Sequence, residues 1–512
     1  MKKHGRTSQW LITAVLLIIL CVCWLGILRI NFSKNPSYYC TDMYSDMMYA
    51  VEVWNQKTIF PEGWVFGNQL YVMATPVMAA LCYGITKDPC IAMGLASTLM
   101  GIGMLVSFYW MLKPMFGRFS ERLLAVVCFM AVTLFAGDPV FSINGWQLFF
   151  TMCSYYACYA FTVFLVFGCY LRSEMNWNPG FVLILSVTCA LSFVTGMQSL
   201  RQTAIMILPL LAVEILKILH SNIVKRKYTY RATFLVGILS FFNLAGVVYV
   251  KQIAIEKNEI FGLTSLRISP HLLKTMKTSA TIPFELFSCL CYAAMLLFCV
   301  VCIFLFVAVF RKKDWENDGV FLCALLCIVN VAVVWGVDVF TTMTIRAKYY
   351  FLLYPMAAIG AAWLYSKSRQ SFRALAVAIV VLLFLCCGQE LFPYFAEESD
   401  PFQQIGDCLE ENGVTTVYSY WDLGEKVAIA SDFRIQAGFW ASRREPFQSV
   451  KYLCNPSVFD ADITQCAYLV RGQEVFERTR EAAEKQGASV QEMEYFPELD
   501  AYLFTADVRL MQ

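Results

Sequence analysis

The sequence predicts an α-helical polytopic membrane protein that ends in a small α/β domain. Three observations lead there. The 512 residues are 59% hydrophobic with a mean hydropathy of +0.57, whereas soluble domains are about 45–50% apolar. Apolar runs of bilayer-crossing length, roughly 17–25 residues, recur along the first 391 positions. The net charge of +2 also hides a split. Residues 392–512 hold 10 Lys+Arg and 21 Asp+Glu, net −11, while the remainder holds 30 and 17, net +13. A basic excess is what the cytoplasmic loops of a membrane domain carry. The acidic end reads as a separate soluble unit, dividing the chain into a transmembrane domain, 1–391, and a soluble domain, 392–512.

In chain order, apolar runs lie near 10–30, 69–86, 90–112, 122–140, 147–171, 180–197, 202–219, 232–252, 284–310, 319–340, 347–366 and 373–391. The first is read as a retained helix, because no small-residue cleavage site follows it. Lys2, Lys3 and Arg6 set the N-terminus in the cytoplasm, and the basic connectors 113–122, 220–231, 311–318 and 366–373 read as cytoplasmic too. The soluble domain is then outside, and the crossing count is odd, 11 or 13. The short run 69–86, with Thr75-Pro76, is the one to demote to a partial or re-entrant helix. The outside loops are 31–68, 138–147, 197–202, 253–283 and 341–346.

The soluble end alternates helix and strand signals. DPFQQIGDCLEENG reads as a helix closed by Gly413, VTTVYSYW and KVAIAS as strands about a turn at Gly424, and CAYLVRG as a strand. EVFERTREAAEKQG reads as a helix ending at Gly487 and DAYLFTADV as a last strand. Most of the 21 cysteines sit in apolar runs as small hydrophobes. The soluble end has three, Cys408, Cys454 and Cys466, an odd number that favours free thiols.

Loop 31–68 is polar and aromatic and carries Asp42, Asp46, Glu52 and Glu62. Carboxylates do nothing for anchoring, so an acidic loop at the lipid surface points to chemistry on a membrane-embedded substrate. SDMMYA starts a helix, with Ser45 as cap and Asp46 in its first turn. On pattern alone Asp46 is either a cap and dipole residue or a reactive group.

The run Asp46-Met47-Met48-Tyr49-Ala50, followed by Pro61-Glu62-Gly63-Trp64-Val65-Phe66-Gly67, resembles the first external loop of GT-C glycosyltransferases. The branch that looks most similar holds the protein O-mannosyltransferases and lipid A aminoarabinose transferases. That resemblance implies a GT-C-like fold and an inverting transfer of sugar from a polyprenyl-phosphate donor, with Asp46 as the catalytic Asp. The family often has Asp-Glu here. This chain has Met47 instead, and Asp42, one turn earlier, is the second carboxylate. Thr344-Ile345-Arg346-Ala347-Lys348-Tyr349-Tyr350 with Pro355 resembles the family's Arg-Tyr stretch where the last core helix meets the outer surface.

The resemblance makes Arg346, Lys348, Arg201 and Tyr349 candidates for the donor phosphate, since a guanidinium offers a planar fork to phosphate oxygens. The competing reading of these cations is snorkelling at helix ends. Tyr49, Trp54 and Trp64 are candidates to stack on sugar or acceptor. His271, Lys274 and Lys277 fit a solvated amphipathic helix better. The Tyr418-Ser419-Tyr420-Trp421-Asp422 stretch, followed by Ala428-Ile429-Ala430-Ser431, also looks like external C-terminal domains of bacterial members.

No Walker A, GxGxxG, GxSxG or HExxH motif occurs, and three histidines make a histidine-based metal centre improbable. No zinc spacing is legible. Asn31-Phe32-Ser33 is a sequon against a membrane helix. The expected partners are a polyprenyl-phosphate sugar, a glycan, lipid or protein acceptor, and membrane lipids, with no nucleic acid. No cofactor is required, because the lipid phosphate is the leaving group; a divalent metal at Asp42 and Asp46 is compatible. A transporter or flippase of lipid-linked saccharides, or a non-catalytic scaffold, is the alternative. A transporter would place ionisable groups deep in the helices.

Overall fold

A computed structural model describes residues 2–67, 69–134, 137–138, 143–151, 156–175, 177–223, 228, 230–252, 272–282, 318–342, 345–368, 373, 377–378, 381, 401–421, 423–442 and 446–511. The expected crossing at 284–310, nearly all of that at 373–391, and the loop 253–271 with His271 lie outside the described residues, as does Asp422.

The membrane domain runs α1 (Lys2–Asn31), α2 (Thr41–Gln56), α3 (Thr75–Thr86), α4 (Pro89–Leu112) and α5 (Phe119–Leu134). A two-residue antiparallel pair, β1 (Gly137–Asp138) and β2 (Ile143–Asn144), leads into α6 (Gly145–Phe149). Then come α7 (Ala157–Tyr170), α8 (Pro179–Gln198), a π-helical turn (Thr203–Ile207), α9 (Leu208–Ile223), α10 (Arg231–Tyr249), α11 (Leu272–Thr281), α12 (Gly319–Phe340) and α13 (Leu353–Lys367). Six segments among the described residues are long and apolar enough to cross a membrane: Gln9–Asn31, Pro89–Leu112, Pro179–Gln198, Thr203–Ile223, Arg231–Gln252 and Gly319–Phe340.

Three apolar runs are not single long helices. The run 69–86 becomes helical only at Thr75, and the 12 residues of α3 span about 18 Å, short of a hydrocarbon core of about 30 Å. The run 147–171 splits into α6 and α7, with the Phe150 and Thr151 amides both turned back on the Trp146 carbonyl. The run 347–366 opens as a 3-10 turn (Ala347–Tyr350) before α13.

Small residues set the helix crossings. A Cβ on Gly94 would lie 1.8 Å from the Asn31 carbonyl oxygen, so α4 touches the end of α1. Gly196 and Gly246 do the same between α8 and α10, at 2.1 Å from the Asn243 oxygen and 2.0 Å from the Phe193 oxygen. Such backbone approach is how apolar helices gain contact where lipid offers no hydrophobic drive. The sequon asparagine is consumed here: Asn31 is fully buried and its Nδ2 donates to Thr98 Oγ1 (2.9 Å) and the Phe150 carbonyl (3.0 Å).

The C-terminal domain comprises α14 (Pro401–Glu411), β3 (Thr416–Tyr420), α15 (Gly424–Ala430), β4 (Gln436–Trp440), β5 (Cys466–Arg471), α16 (Gln473–Lys485), β6 (Val490–Phe496) and β7 (Ala501–Ala506). Its sheet has the order β4-β3-β5-β7-β6, with β3 parallel to β4 and β5, and β7 antiparallel to β5 and β6. Alternation along each strand feeds two cores. Val417 faces Ile405 and Leu409 of α14, and Tyr418 faces the side of Phe476 on α16. Gly413 closes α14 at φ +70°.

KVAIAS is not a strand: it lies in α15, whose Val427, Ala428 and Ile429 are buried. The β-strand beside it is Gln436–Trp440, and Val490–Phe496 is a second strand that the pattern did not reveal. Cys408, Cys454 and Cys466 are free thiols.

Candidate functional site

Helix α2 is the base of the site. It starts at Thr41, four residues before the expected start. Cys40 is the N-cap and its amide donates to the Met43 sulfur (3.4 Å). Ser45 is therefore not a cap, and Asp46 lies in the second turn, 3% exposed, beyond a capping position. The opposite side of the helix, carrying Thr41, Ser45, Met48, Glu52 and Asn55, lines a cavity of about 1340 Å³.

Three further loops converge on this cavity. The segment after α2 contributes Trp64, Gly67, Gln69 and Tyr71. It is sewn to the end of α8: the Gln198 Oε1 accepts from the Val72 amide (3.2 Å) and from Met73, and the Leu70 amide donates to the Gln198 carbonyl (3.0 Å). The α8–α9 connection brings Arg201. The α12–α13 connection brings Arg346, Lys348 and Tyr349, its path fixed where the Ile345 amide donates to Asp338 Oδ1 (3.0 Å).

Of the residues singled out from sequence, the cavity therefore gathers Asp42, Trp64, Arg201, Arg346, Lys348 and Tyr349. Arg201 sits among three phenol rings, its guanidinium carbon 5.2 Å from the Tyr156 and Tyr159 centroids and 5.4 Å from that of Tyr349. Among the described residues it has no carboxylate partner, so its positive charge is held by ring faces and open to an anion.

Asp46 stands behind this wall. It lines a separate void of about 10 Å³ with Gln69, Tyr71, Thr75, Tyr159 and Gln198, about the space of one water. Gln69 and Tyr71 line both spaces. Burial, and then the neighbouring Asp46 carboxylate, push the Tyr49 phenol upward.

Tyr49 and Trp54 are not brought into the cavity. Tyr49 is fully buried, and its hydroxyl donates toward the Ile59 (2.7 Å) and Tyr71 (3.1 Å) carbonyls while its ring packs edgewise on Trp64. Trp54 lies over Gly84, where any Cβ would come within 2.3 Å of the indole, and carries Lys57 above it at 3.3 Å. Both residues shape the loop. Lys274 and Lys277 are exposed on α11.

The other half of the cavity wall belongs to the C-terminal domain, and sequence reasoning missed it. Tyr420, Trp421, Lys426, Gln436, Tyr452 and Asn455 line it. The domain is docked onto loop 31–67 at three places. Lys34 pairs with Asp88 (2.7 Å) and Asp432 (2.9 Å). The Ala437 amide donates to the Tyr44 hydroxyl (3.0 Å), and the Tyr44 ring packs on Phe433 and Phe439. Val65 and Cys454 form an antiparallel bridge. Tyr452 lines the cavity with Asp42 of α2, and burial, then the Asp42 charge, raises its phenol.

No family model matches the sequence, and comparison with curated proteins returns no match. Solved structures do match. ArnT from Cupriavidus metallidurans bound to undecaprenyl phosphate superposes with a TM-score of 0.54 at 10% identity, over 98% of this chain and 99% of that one. The same protein in the apo state gives 0.53 at 11%, with the same coverage. The chain has the GT-C fold. At this identity the likeness establishes the fold, and it spans nearly the whole of both chains. The Archaeoglobus fulgidus oligosaccharyltransferase tethered with an acceptor peptide gives a TM-score of 0.45 at 8% identity, over 98% and 75%, too distant for a structural argument.

The donor set for a metal within this GT-C fold is thin. Asp42 and Asp46 are four residues apart, and no group of three or more His, Cys, Asp or Glu side chains is found among the described residues.

Proposed function

We propose that the chain is a glycosyltransferase that moves a sugar from a polyprenyl-phosphate donor to an acceptor outside the cytoplasmic membrane. The observation that carries this reading is the single cavity lined by Asp42 of α2 and by Arg201, Arg346 and Lys348 from two other connections. A carboxylate and three cations lining one space suit a reaction that removes a proton and leaves negative charge on a departing group. The fold it shares with ArnT, which is crystallised bound to undecaprenyl phosphate, supports the lipid donor.

In this reading an acceptor hydroxyl attacks the anomeric carbon from the face opposite the phosphate. The new oxygen–carbon bond forms as the carbon–phosphate-oxygen bond breaks, and the configuration inverts. Asp46 takes the hydroxyl proton as general base through one water, in the water-sized void it shares with Gln69 and Tyr71, which also line the cavity. Asp42, on the cavity wall, orients the acceptor. Arg346, Lys348 and Arg201, the last held by Tyr349 and two other phenols, stabilise the departing lipid phosphate by charge-assisted hydrogen bonds. No step runs through a metal. Tyr49 and Trp54 brace the loop, and Trp64 backs the cavity wall.

Transfer by purified chain in lipid nanodiscs of a labelled sugar from polyprenyl phosphate onto envelope acceptors tests the reading. Transfer that requires Arg346 and Asp46 supports it. Translocation of the intact lipid-linked sugar without cleavage would replace it with a flippase.

A further inference from the structure

We propose that the C-terminal domain's wall of the cavity is an acceptor site for a saccharide rather than for a peptide. This rests on the glycosyltransferase reading and names its acceptor class. Arg201, Arg346 and Lys348 lie on the membrane-domain wall. The C-terminal domain's wall carries the aromatic side chains Trp421, Tyr420 and Tyr452 among the neutral polar groups Asn455, Ser457 and Gln436 and two cations, Lys426 and Arg471. Trp421 is half-buried and stacked on Phe439 (5.5 Å, 14° between planes), so its indole is held flat at the cavity edge. A sugar ring offers a C–H face and a rim of hydroxyls. It is recognised by a fixed aromatic plane beside neutral donors and acceptors, as small-molecule pockets generally are.

The same wall is closed to the usual way of holding an extended peptide. That way is strand addition to a free sheet edge. Strand β4 is such an edge, but α2 and the segment after the strand already bond to it. The Ala437 amide donates to Tyr44, the Phe439 carbonyl accepts from Val450, and Ala441 pairs with Gln448. The space is ample for rings on both sides: about 1340 Å³ against roughly 300–1,000 Å³ for a small-molecule site. A saccharide on Trp421 and Tyr452 would share its cavity with Asp42, which lines the same space.

The test uses the full chain in nanodiscs and two probe sets. One is a panel of defined oligosaccharides of two to six residues; the other is a pool of Ser- and Thr-containing nonapeptides. Undecaprenyl phosphate binding is measured in parallel. The expected result is retention of at least one oligosaccharide, weakened about tenfold or more in Trp421→Ala and Tyr452→Ala, the loss typical of truncating an anchoring aromatic. Trp421→Phe should keep most of it, and undecaprenyl phosphate binding should not change in any of the three. Failure of the donor reading shows separately, as undecaprenyl phosphate binding indifferent to Arg346→Ala. The acceptor proposal is overturned if no oligosaccharide is retained, if retention ignores both aromatic truncations, or if only the peptides are retained and lost in Trp421→Ala.

Discussion

Two charged groups in the membrane domain, the buried Glu214 and the half-buried Arg201, differ in how they are partnered. Glu214 in α9 is 3% exposed and fully answered from inside. It accepts from the Tyr170 hydroxyl (2.8 Å), the Thr233 hydroxyl (2.9 Å) and Tyr228, and pairs with Lys217 (3.7 Å), itself 6% exposed. Among the described residues, the Arg201 guanidinium is held by aromatic rings, at the wall of a large cavity. An ion whose charge is neutralised by its neighbours locks helices together. One left with ring faces and an opening is set up to receive an anion. Ionisable residues within membrane segments mark transport pathways as often as catalysis, and the Glu214 cluster is the natural place for a transporter's coupling site. Its complete internal pairing makes it a clamp between α7, α9 and α10.

The strongest way to break this contrast is through the carboxylate that Arg201's cavity is proposed to serve. Asp46→Asn should cut turnover by about 10²–10⁴-fold, the typical contribution of a general base. Folding should survive, because Asn is nearly isosteric and Asp46 is not a cap. Asp42→Asn should cost less if it only orients the acceptor. Equal losses, restored or deepened together by divalent ion, would instead mean that the pair works as one site. Near-normal transfer by well-folded Asp46→Asn protein removes the base assignment altogether.

Next in size is the clamp. Glu214→Ala leaves Lys217 buried without its partner, a change worth about 3–5 kcal/mol. The expected outcome is a large loss of thermal stability in detergent, with donor affinity unchanged in whatever protein remains folded. A stable Glu214→Gln variant that loses transfer or gains a translocation defect would restore the transporter reading.

Arg201→Ala should do the reverse. Its expected loss is about 10²–10³-fold in transfer, the scale of removing one positioned donor from a developing anion, with a melting curve close to the parent's. Arg346→Lys should lose part of its activity although the charge is kept, because the planar fork is gone. Full activity in Arg346→Ala would reduce that residue to an interfacial anchor.

The contrast also marks what the sequence could tell. Crossing helices were readable because composition alone decides them: Pro89–Leu112 and Gly319–Phe340 fall on apolar runs to within a residue or two. Arg201, Arg346 and Lys348 were readable because cations on outside loops break the charge rule. The cage was not, since Tyr156 and Tyr159, Tyr349, and Arg201 meet only through packing of three separate segments. Helix α2 was misjudged at its start because a Cys-to-Met sulfur contact caps it, which no capping pattern contains. KVAIAS alternates well enough to pass for a strand, yet tertiary packing under α14 turns it into α15. The C-terminal domain's share of the cavity escaped because it depends on docking, through hydrogen bonds of Tyr44 and Lys34 to residues 393 and 398 positions away.

That docking yields the smallest expected effect and separates its two parts. Tyr44→Phe keeps the rings stacked on Phe433 and Phe439 but removes the acceptor for the Ala437 amide, a net cost of about 1 kcal/mol. Lys34→Gln removes an exposed pair to Asp432, typically worth about 0–1 kcal/mol and screened by salt. Hydrogen exchange at β4 and at residues 63–66 reads both. Tyr44→Phe should speed exchange at β4 at any ionic strength, whereas the Lys34→Gln effect should fade in high salt. Because the Tyr44 hydroxyl meets a backbone amide in a buried, dry contact, salt has no route to screen it. A Tyr44→Phe effect that disappeared with salt would mean that charge, not the α2 aromatic, holds the domain over the cavity.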